Sequence, residues 1–321
     1  MSRSVKIWLL TAAALVLIGC IVFACAMAML EWDFLKLSTR AYETNRYEIT
    51  EDFSSIVIDV DTSDVIFAPS GGEECFVECY EDTKIKHTAL VENGVLTVEV
   101  TDERAWYEYI GIGFGTPRIT VYLPEAEYAA LKIEGSTSDV LIPNNFRFET
   151  VDISVTTGDV ECLTSATGAV SISASTGDIY VGYMSAGSLN LSVTTGDITL
   201  KSLIVEGDTL ITVTTGRADL SDMTCKNLTS SGDTGDLTVT NVIASGKLKV
   251  ERSTGDVSLD GFDAAEIFIK TDTGDVEGRL LSDKVFIIKT DTGDVKVPDS
   301  LTGGRCEIVT DTGDIEISIG Q

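Results

Sequence analysis

Six aspartates near the end of the chain have the spacing of a stacked acidic row. They belong to three copies of Asp-Thr-Gly-Asp, which follow one another at steps of 19 and 20 residues. If each copy occupies the same corner of a repeating structure, equivalent carboxylates lie about 5 Å apart. Hard carboxylate oxygens at that spacing suit Ca²⁺, so the row is the candidate metal site. Its residues are Asp272, Asp275, Asp291, Asp294, Asp311 and Asp314.

The same aspartates also have a simpler interpretation as turn residues. An aspartate can bond its own backbone in a tight turn, and Lys270 and Lys289 lie close enough in sequence to offset part of the charge. Asp-Thr-Gly is also the aspartic-protease motif, but here it is a by-product of the repeat. A calcium row and a solvated turn ladder therefore both remain open.

The remaining reactive residues do not predict a catalytic site. His87 is the only histidine, and Cys75 and Cys79 would be about 13 Å apart in a strand, too far for a disulfide. The glycine-rich stretch at residues 111–115 follows Trp106, but neither a helix nor a lysine follows it as a phosphate loop requires. We therefore expect buried free thiols, an ordinary loop, no catalytic residue, no cofactor other than calcium, and no enzyme.

A regular repeat dominates the second half of the chain. Thr-Gly recurs at steps of 19 or 20 residues, and eight of its nine glycines are followed by aspartate, with Arg217 as the exception. The glycines are Gly158, Gly177, Gly196, Gly216, Gly235, Gly255, Gly274, Gly293 and Gly313.

Apolar residues occupy fixed positions around each of these glycines. The column five residues before the glycine includes Ile153, Ile172 and Leu191, and the column two residues after it includes Val160 and Ile179. Polar residues alternate with them, which is typical of short strands with one buried face. A single repeat buries too little to fold alone, so the coils must stack. The sequence predicts an all-β fold, a parallel β-solenoid (β-helix-like), over residues 146–321.

Residues 51–145 are predicted to form a β-rich N-terminal cap over the first coil. Thr62-Ser63-Asp64-Val65 and Thr137-Ser138-Asp139-Val140 resemble the repeated corner with serine in the glycine slot. Asn93-Gly94 between them is a strong hairpin signal. Glycine-free corners and a hairpin are consistent with coils that are less regular than the array they cover.

An apolar run predicts one transmembrane helix before the cap. Residues 7–30 are uncharged and long enough to cross a bilayer, with a cytoplasmic tail at 1–6 and a juxtamembrane linker at 31–50. Arg3 and Lys6 precede the run, so the positive-inside rule places the N-terminus in the cytoplasm and the bulk of the chain outside. A lipoprotein attached at Cys20, or cleavage and secretion, are the alternatives.

The repeated Thr-Thr-Gly-Asp-Val and Ser-Thr-Gly-Asp-Ile corners, behind an anchor and a β-rich entry, resemble the putative adhesin family of bacterial cell-envelope proteins. The resemblance covers roughly residues 51–321. It implies a domain of unknown function, adhesin-like, with some members linked to envelope-stress systems. It implies no catalytic residues.

These observations predict an extracytoplasmic binding or scaffolding protein of the cell membrane. The net charge of −28 excludes nucleic acid, and an envelope or surface protein or a glycan is the expected partner. The alternatives are an accessory or sensory subunit of an envelope-stress system and, less in keeping with the regular steps, a carbohydrate-active β-helix enzyme. The last coil has no capping segment after it, which predicts end-to-end self-association through the C-terminal coil.

Overall fold

The computed structural model describes residues 3–109 and 113–320. Helix α1, Arg3–Met29, is followed by two short 3₁₀ turns, Phe34–Leu37 and Trp106–Tyr109, and everything else is strand or loop. Helix α1 is long and apolar enough to cross a membrane and lies exposed along nearly its whole length. A signal sequence would have the same properties.

The strands of the N-terminal part are β1 Tyr42–Ile49, β2 Ser55–Val60, β3 Asp64–Pro69, β4 Cys75–Asp82, β5 Ile85–Glu92, β6 Val95–Asp102, β7 Arg118–Leu123, β8 Glu127–Thr137 and β9 Val140–Ile142. The strands of the array are β10 Arg147–Thr157, β11 Val160–Cys162, β12 Ser165–Ala166, β13 Ala169–Thr176, β14 Ile179–Gly182, β15 Ser185–Ala186, β16 Ser188–Thr195, β17 Ile198–Val205, β18 Asp208–Thr215, β19 Ala218–Cys225, β20 Asn227–Thr234, β21 Leu237–Thr254, β22 Val257–Thr273, β23 Val276–Leu280, β24 Lys284–Thr292, β25 Val295–Lys296, β26 Gly304–Thr312 and β27 Ile315–Ile319.

The array is a parallel β-solenoid, as predicted. Strands before the Gly-Asp corner stack on one another, as when β10 pairs with β13 and β13 with β16, and strands after the corner stack separately, as when β11 pairs with β14. A third, very short side was not predicted: β12 pairs with β10, and β15 with β17. These strands are two residues of Ser and Ala, too short to give a period-two signal.

The solenoid begins inside the predicted cap. Strands β2 and β8 pair in parallel, as do β3 and β9. Strand β8 also pairs in parallel with β10, the first strand of the predicted array. The two Thr-Ser-Asp-Val sequences are therefore true corners of the array. Strand β1 lies in the segment predicted as linker and pairs along its whole length with β4, so the folded cap reaches back to Tyr42.

The predicted apolar columns form the core. Ile153, Ile172 and Leu191 are buried, as are Val160 and Ile179 on the next side. The columns become exposed only at the far end of the array, where Ile288 is half-buried and Val295 is 46% exposed. Stacking packs each apolar side chain against the equivalent residues of the neighbouring coils. This burial supplies the main driving force for stacking, about 25 cal/mol per Å² of apolar surface.

The C-terminal coil does not end the array, and the prediction that it has an open edge was wrong. Strand β26 lies between β22 and β24, and β27 lies between β23 and β25. The chain therefore skips the coil position next to β22 and β23 and forms the outermost coil with β24 and β25. It then returns, and β26 and β27 fill the skipped position. The unpaired edge belongs to β24, where Ile287 is 46% exposed. The exposed edge available for end-to-end self-association is therefore that of β24. The association itself stays a prediction.

Arg252 is a charged residue whose side chain points into the core of the array. Arg252 is 4% exposed, and one of its Nη atoms donates to the Ser230 hydroxyl at 3.0 Å. Its Nε and its other Nη have no hydrogen-bond partner among the described residues. Burial lowers the pKa of this guanidinium, against the opposing field of Asp236. Gly232 provides the space, because a side chain there would collide with the guanidinium.

We therefore expect the double variant Ser230→Ala/Arg252→Met to be more stable than the wild type. A buried charge without a full set of partners costs several kcal/mol, and an apolar residue of similar length removes that cost, so the expected gain is about 1–3 kcal/mol. The measurement is the denaturant midpoint of the full-length protein in detergent. Arg217→Met, at a 63% exposed side chain, is the control and should change stability by less than about 1 kcal/mol. A less stable double variant would mean that Arg252 is fully partnered.

Candidate functional site

Nine corners of the array are formed by a glycine, and a residue with a side chain does not fit at these positions. At Gly196 φ is 142°, a conformation that L side chains rarely adopt. The glycines also stack on one another: a Cβ on Gly196 would collide with the backbone carbonyl of Gly177, and one on Gly216 with the carbonyl of Gly196. Thus both the backbone conformation and the spacing between coils require glycine at the corner.

The aspartate after each glycine connects its coil to the next one. The backbone N–H of Asp178 donates to Oδ1 of Asp159 at 2.8 Å, and the N–H of Asp197 donates to Oδ1 of Asp178 at 2.8 Å. Arg217 closes this first series by donating its N–H to Asp197. The first series is Asp64, Asp139, Asp159, Asp178 and Asp197, and a second one is Asp236, Asp256, Asp275, Asp314 and Asp294. We call the two series together the aspartate ladder.

An open groove of about 610 Å³ runs along the first series of the ladder. The five aspartates form one wall, and the outward-facing residues two positions further along each coil form the other. These include Glu161, Tyr180 and Asp219. Arg217 is the one basic residue among those that line the groove, and its Nη2 lies 2.9 Å from Oδ2 of Asp197. The groove is therefore a strongly acidic surface on a rigid face.

The hydrogen bonds at Asp197 favour the charged form of its carboxylate. Asp197 accepts the backbone N–H and the guanidinium of Arg217, and these bonds hold its pKa below the ordinary value although partial burial opposes them. A carboxyl that acts as a general acid needs the opposite shift. This carboxylate is thus equipped to bind a cation and not to donate a proton.

The six aspartates predicted as a calcium row lie in two parallel lines at the far end of the ladder. Asp275, Asp314 and Asp294 are members of the ladder, in that spatial order, because the C-terminal coil is interleaved. The other three are exposed at the ends of strands, where Lys270 lies 3.5 Å from Asp272 and Lys289 lies 3.4 Å from Asp291. Asp311 stands in register between these two. The calcium site stays a prediction.

A buried polar network in the cap was not anticipated from the sequence. Glu81 Oε2 lies 2.6 Å from Nδ1 of His87 and accepts the backbone N–H of the same residue at 2.6 Å. Nε2 of His87 lies 3.2 Å from Oγ of Ser63, the serine of the first degenerate corner. The amide of Asn45 on β1 donates to Glu81 Oε1 at 2.6 Å. All of Ser63, Glu81 and His87 are at most 3% exposed.

The order serine–histidine–carboxylate is that of an activated serine nucleophile. Ser63, however, is 3% exposed, so its hydroxyl is not open to bulk solvent. A cavity of about 250 Å³ adjoins the network and is lined by Arg40, Asp82 and Tyr42 besides it. The network is accordingly an enclosed polar centre beside a small cavity.

The sequence signal for this centre was weak. His87 is the only histidine of the chain. Its partners come from three other parts of the cap, namely β1, β4 and the first corner. The available sign was Cys79 and Glu81 two residues apart on one strand, with His87 shortly after a tight turn. That spacing puts the first two side chains on the same face.

The cysteines beyond the helix are buried free thiols, as predicted, whereas the glycine-rich stretch is described only in part. Gly113 and Gly115 lie against the side chain of Tyr42, whereas residues 110–112 lie outside the described part of the chain. Every cysteine is free, and the five beyond the helix are buried. Burial raises the pKa of the Cys75 thiol to about 11 and that of Cys162 to about 12, so these thiols are not nucleophiles at neutral pH.

Replacing a corner glycine should disrupt the stacking of the coils. We expect Gly196→Ala to lower the stability of the array by roughly 2–4 kcal/mol, because the methyl group adds both backbone strain and a clash with the next coil. Gly72→Ala is the matched control, since a Cβ there meets no atom within 4 Å. Urea denaturation of the two full-length variants in detergent measures the difference. Equal midpoints for both would mean that the corners tolerate a side chain.

Several solved structures are similar to this chain at low sequence identity. No match is found among curated proteins. Among solved structures, a putative lipid binding protein from Parabacteroides distasonis ATCC 8503 is 12% identical with a TM-score of 0.48, covering 88% of this chain and 98% of that chain. A putative adhesin from Parabacteroides merdae ATCC 43184 is 12% identical with a TM-score of 0.47, covering 87% and 97%. A putative adhesin from Bacteroides fragilis NCTC 9343 is 13% identical with a TM-score of 0.45, covering 86% and 97%.

The family assignment follows from the repeat. The model of the Toastrack DUF4097 family matches residues 53–216 and again residues 205–321. The two matches together span the cap and the whole array, so the resemblance to an adhesin-like domain of unknown function is confirmed. This chain belongs to the Toastrack DUF4097 family.

Proposed function

We propose that this protein is a membrane-anchored, extracytoplasmic binding or scaffolding protein of the adhesin-like kind, without catalytic activity. Its acidic groove receives a basic segment of an envelope or surface protein. The observation that carries the proposal is the row of five aspartates along the 610 Å³ groove. A row of fixed carboxylates about 4.8 Å apart is complementary to an extended chain with regularly placed cationic side chains.

Preorganisation supports binding at this surface. Each of the five groove aspartates accepts the backbone N–H of the next coil, so a partner does not have to order these side chains when it binds. The net charge of −28 also attracts cationic segments over a distance of about a Debye length. Acidic grooves of this kind favour protein partners over anionic lipids.

The anchor belongs to the same proposal. Helix α1 begins at Arg3, with Lys6 in its second turn, and the acidic residues Glu31 and Asp33 follow its end. This charge pattern orients the helix with its N-terminus in the cytoplasm and the solenoid outside. The groove would then face the envelope or the cell exterior.

Two alternatives make different demands on the structure. An accessory subunit of an envelope-stress system would use the same groove with a different partner. A carbohydrate-active enzyme would need a protonated carboxyl in the groove, and the lowered pKa of Asp197 argues against that residue as the acid. The observations therefore favour binding.

The test is the binding of a fluorescent lysine-rich peptide to the full-length protein in neutral nanodiscs, followed by anisotropy. Asp159→Asn/Asp178→Asn removes two groove charges and keeps an amide oxygen for the ladder bonds. We expect this variant to bind roughly 3- to 30-fold more weakly. Asp256→Asn/Asp275→Asn removes the same charge from the ladder beyond the groove, and its affinity should change by less than about twofold. Equal losses in both variants would show that net charge alone attracts the peptide.

We also propose that Ca²⁺ binds the far end of the ladder, at the six aspartates named above. Asp294 ends the ladder in the outermost coil, so the ladder provides no further coil whose N–H would use its carboxylate. Asp291 lies in the same coil and is exposed. These oxygens are the ligands that calcium prefers.

Thermal melts of the full-length protein in detergent, with calcium and with chelator, test this site. We expect calcium to raise the melting temperature by several degrees, about the effect of a ligand at 100 times its Kd. The rise should disappear in Asp291→Asn/Asp294→Asn and persist in the control Glu51→Gln/Asp52→Asn. Identical melts with calcium and chelator in the wild type would leave these aspartates with a turn role only.

A further inference from the structure

Three side chains with metal-binding atoms converge in the cap, away from the groove. Cys79 and Glu81 project from the same face of β4, and His87 projects from β5 just after the turn. Their sulfur, carboxylate and imidazole ligand atoms all lie within 4.8 Å of one another. The three residues are 0%, 1% and 2% exposed. Such a mixed set of ligands, fully buried, differs from the exposed acidic residues elsewhere on the surface.

The three ligands match one metal by charge and by chemistry. A thiolate and a carboxylate together neutralise a divalent cation, and a neutral imidazole adds a third ligand without changing the charge, so the site is neutral in its buried surroundings. Sulfur, nitrogen and oxygen in one site suit Zn²⁺, whereas Ca²⁺ and Mg²⁺ take oxygen alone. Zinc binding to the Cys79 thiol would release its proton.

We propose that Cys79, Glu81 and His87 bind one Zn²⁺ ion. The site is independent of the acidic groove and of the proposed function. The ligand atoms are already grouped, and they have only to draw together around the ion. The bond between Nδ1 of His87 and Oε2 of Glu81, 2.6 Å long, is replaced by two bonds to the metal.

The surrounding residues form the outer shell that such a site needs. Zinc-bound histidines donate their second ring N–H to an oxygen, and Nε2 of His87 lies 3.2 Å from Ser63 Oγ. The amide of Asn45 donates to the other oxygen of Glu81 at 2.6 Å. The hydroxyl of Tyr47 donates to the backbone carbonyl of His87 at 2.5 Å. Glu81 and His87 are thus oriented before the metal arrives.

The fourth ligand would come from the adjoining cavity. The 250 Å³ space touches Glu81 and His87, so a water molecule or a small anion there can reach the metal. Arg40 lines the same cavity, with its Nε 3.9 Å from Asp82 Oδ2 and without a hydrogen bond among the described residues. Three protein ligands with an open position are typical of zinc sites that bind an exogenous ligand.

Zinc and cobalt binding to the full-length protein in detergent tests the proposal. The protein is stripped with chelator and then loaded in excess calcium, which occupies the surface carboxylates. We expect one zinc per chain by elemental analysis. Co²⁺ should give a thiolate-to-metal charge-transfer band together with the visible bands of a four-coordinate ion.

The variants separate this site from other cysteines. Cys79→Ala should lose the charge-transfer band, while Cys75→Ala, a buried cysteine four residues earlier on the same strand, should keep it. Ser63→Ala should weaken zinc binding by roughly 10- to 100-fold, and His87→Gln by more. Melting curves without metal check that each variant is folded.

Two outcomes would overturn the proposal. One is a wild-type protein that holds far less than one zinc per chain after loading. The other is a cobalt charge-transfer band that persists in folded Cys79→Ala, because the thiolate would then be Cys20, Cys25 or another cysteine. If Cys79→Ala does not fold, the zinc content of the wild type and the affinity of Ser63→Ala decide the question.

Discussion

The stacking of Gly-Asp corners is the contact on which the rest of this solenoid depends. Each corner glycine lies so close to a backbone carbonyl of the neighbouring coil that a single methyl group would separate the coils. The aspartate beside it then accepts the N–H of the following coil, as Asp159 does from Asp178. The corner therefore fixes the distance between coils and their register at once. Core packing needs both, because the apolar columns coincide only when every coil has the same register.

The acidic surface follows from the same constraint. Since the aspartate must point along the stack to reach the next N–H, a solenoid of this type places a carboxylate at one edge of almost every coil. Charge repulsion along the row is offset by the hydrogen bonds, and at Asp197 also by Arg217. Calcium is not required to explain the row. Its evenly spaced charge is the basis for the cationic partner that we propose, and the open groove lies beside it.

The cap departs from the repeat at the buried cluster of Ser63, Glu81 and His87. Its first corner has Ser63 in place of glycine, and that hydroxyl contacts His87 instead of ending at a bare turn. The hydroxyl of the equivalent Ser138 is buried without a hydrogen-bond partner among the described residues, so serine at this corner is not in itself a sign of a site. What distinguishes Ser63 is the hairpin of β4 and β5, which brings Glu81 and His87 to it. Irregular coils at the end of a repeat array are free to carry such insertions.

The sequence alone determined the period, the buried columns, the corners, the apolar helix and the adhesin-like family, because each repeats a local pattern or is one long run. Only the tertiary structure decided the order of the last two coils, the third short side, and the pairing of β1 with β4. The register of a strand follows from the pattern within its own repeat, but the choice of neighbouring coil does not. Coils 285–296 and 304–317 are equivalent and present the same edges, so the sequence pattern fits either order. The cluster of Cys79, Glu81 and His87 likewise depends on how one hairpin folds back on β1 and the first corner. Such a contact joins segments that do not repeat, so the periodicity of the sequence does not predict it.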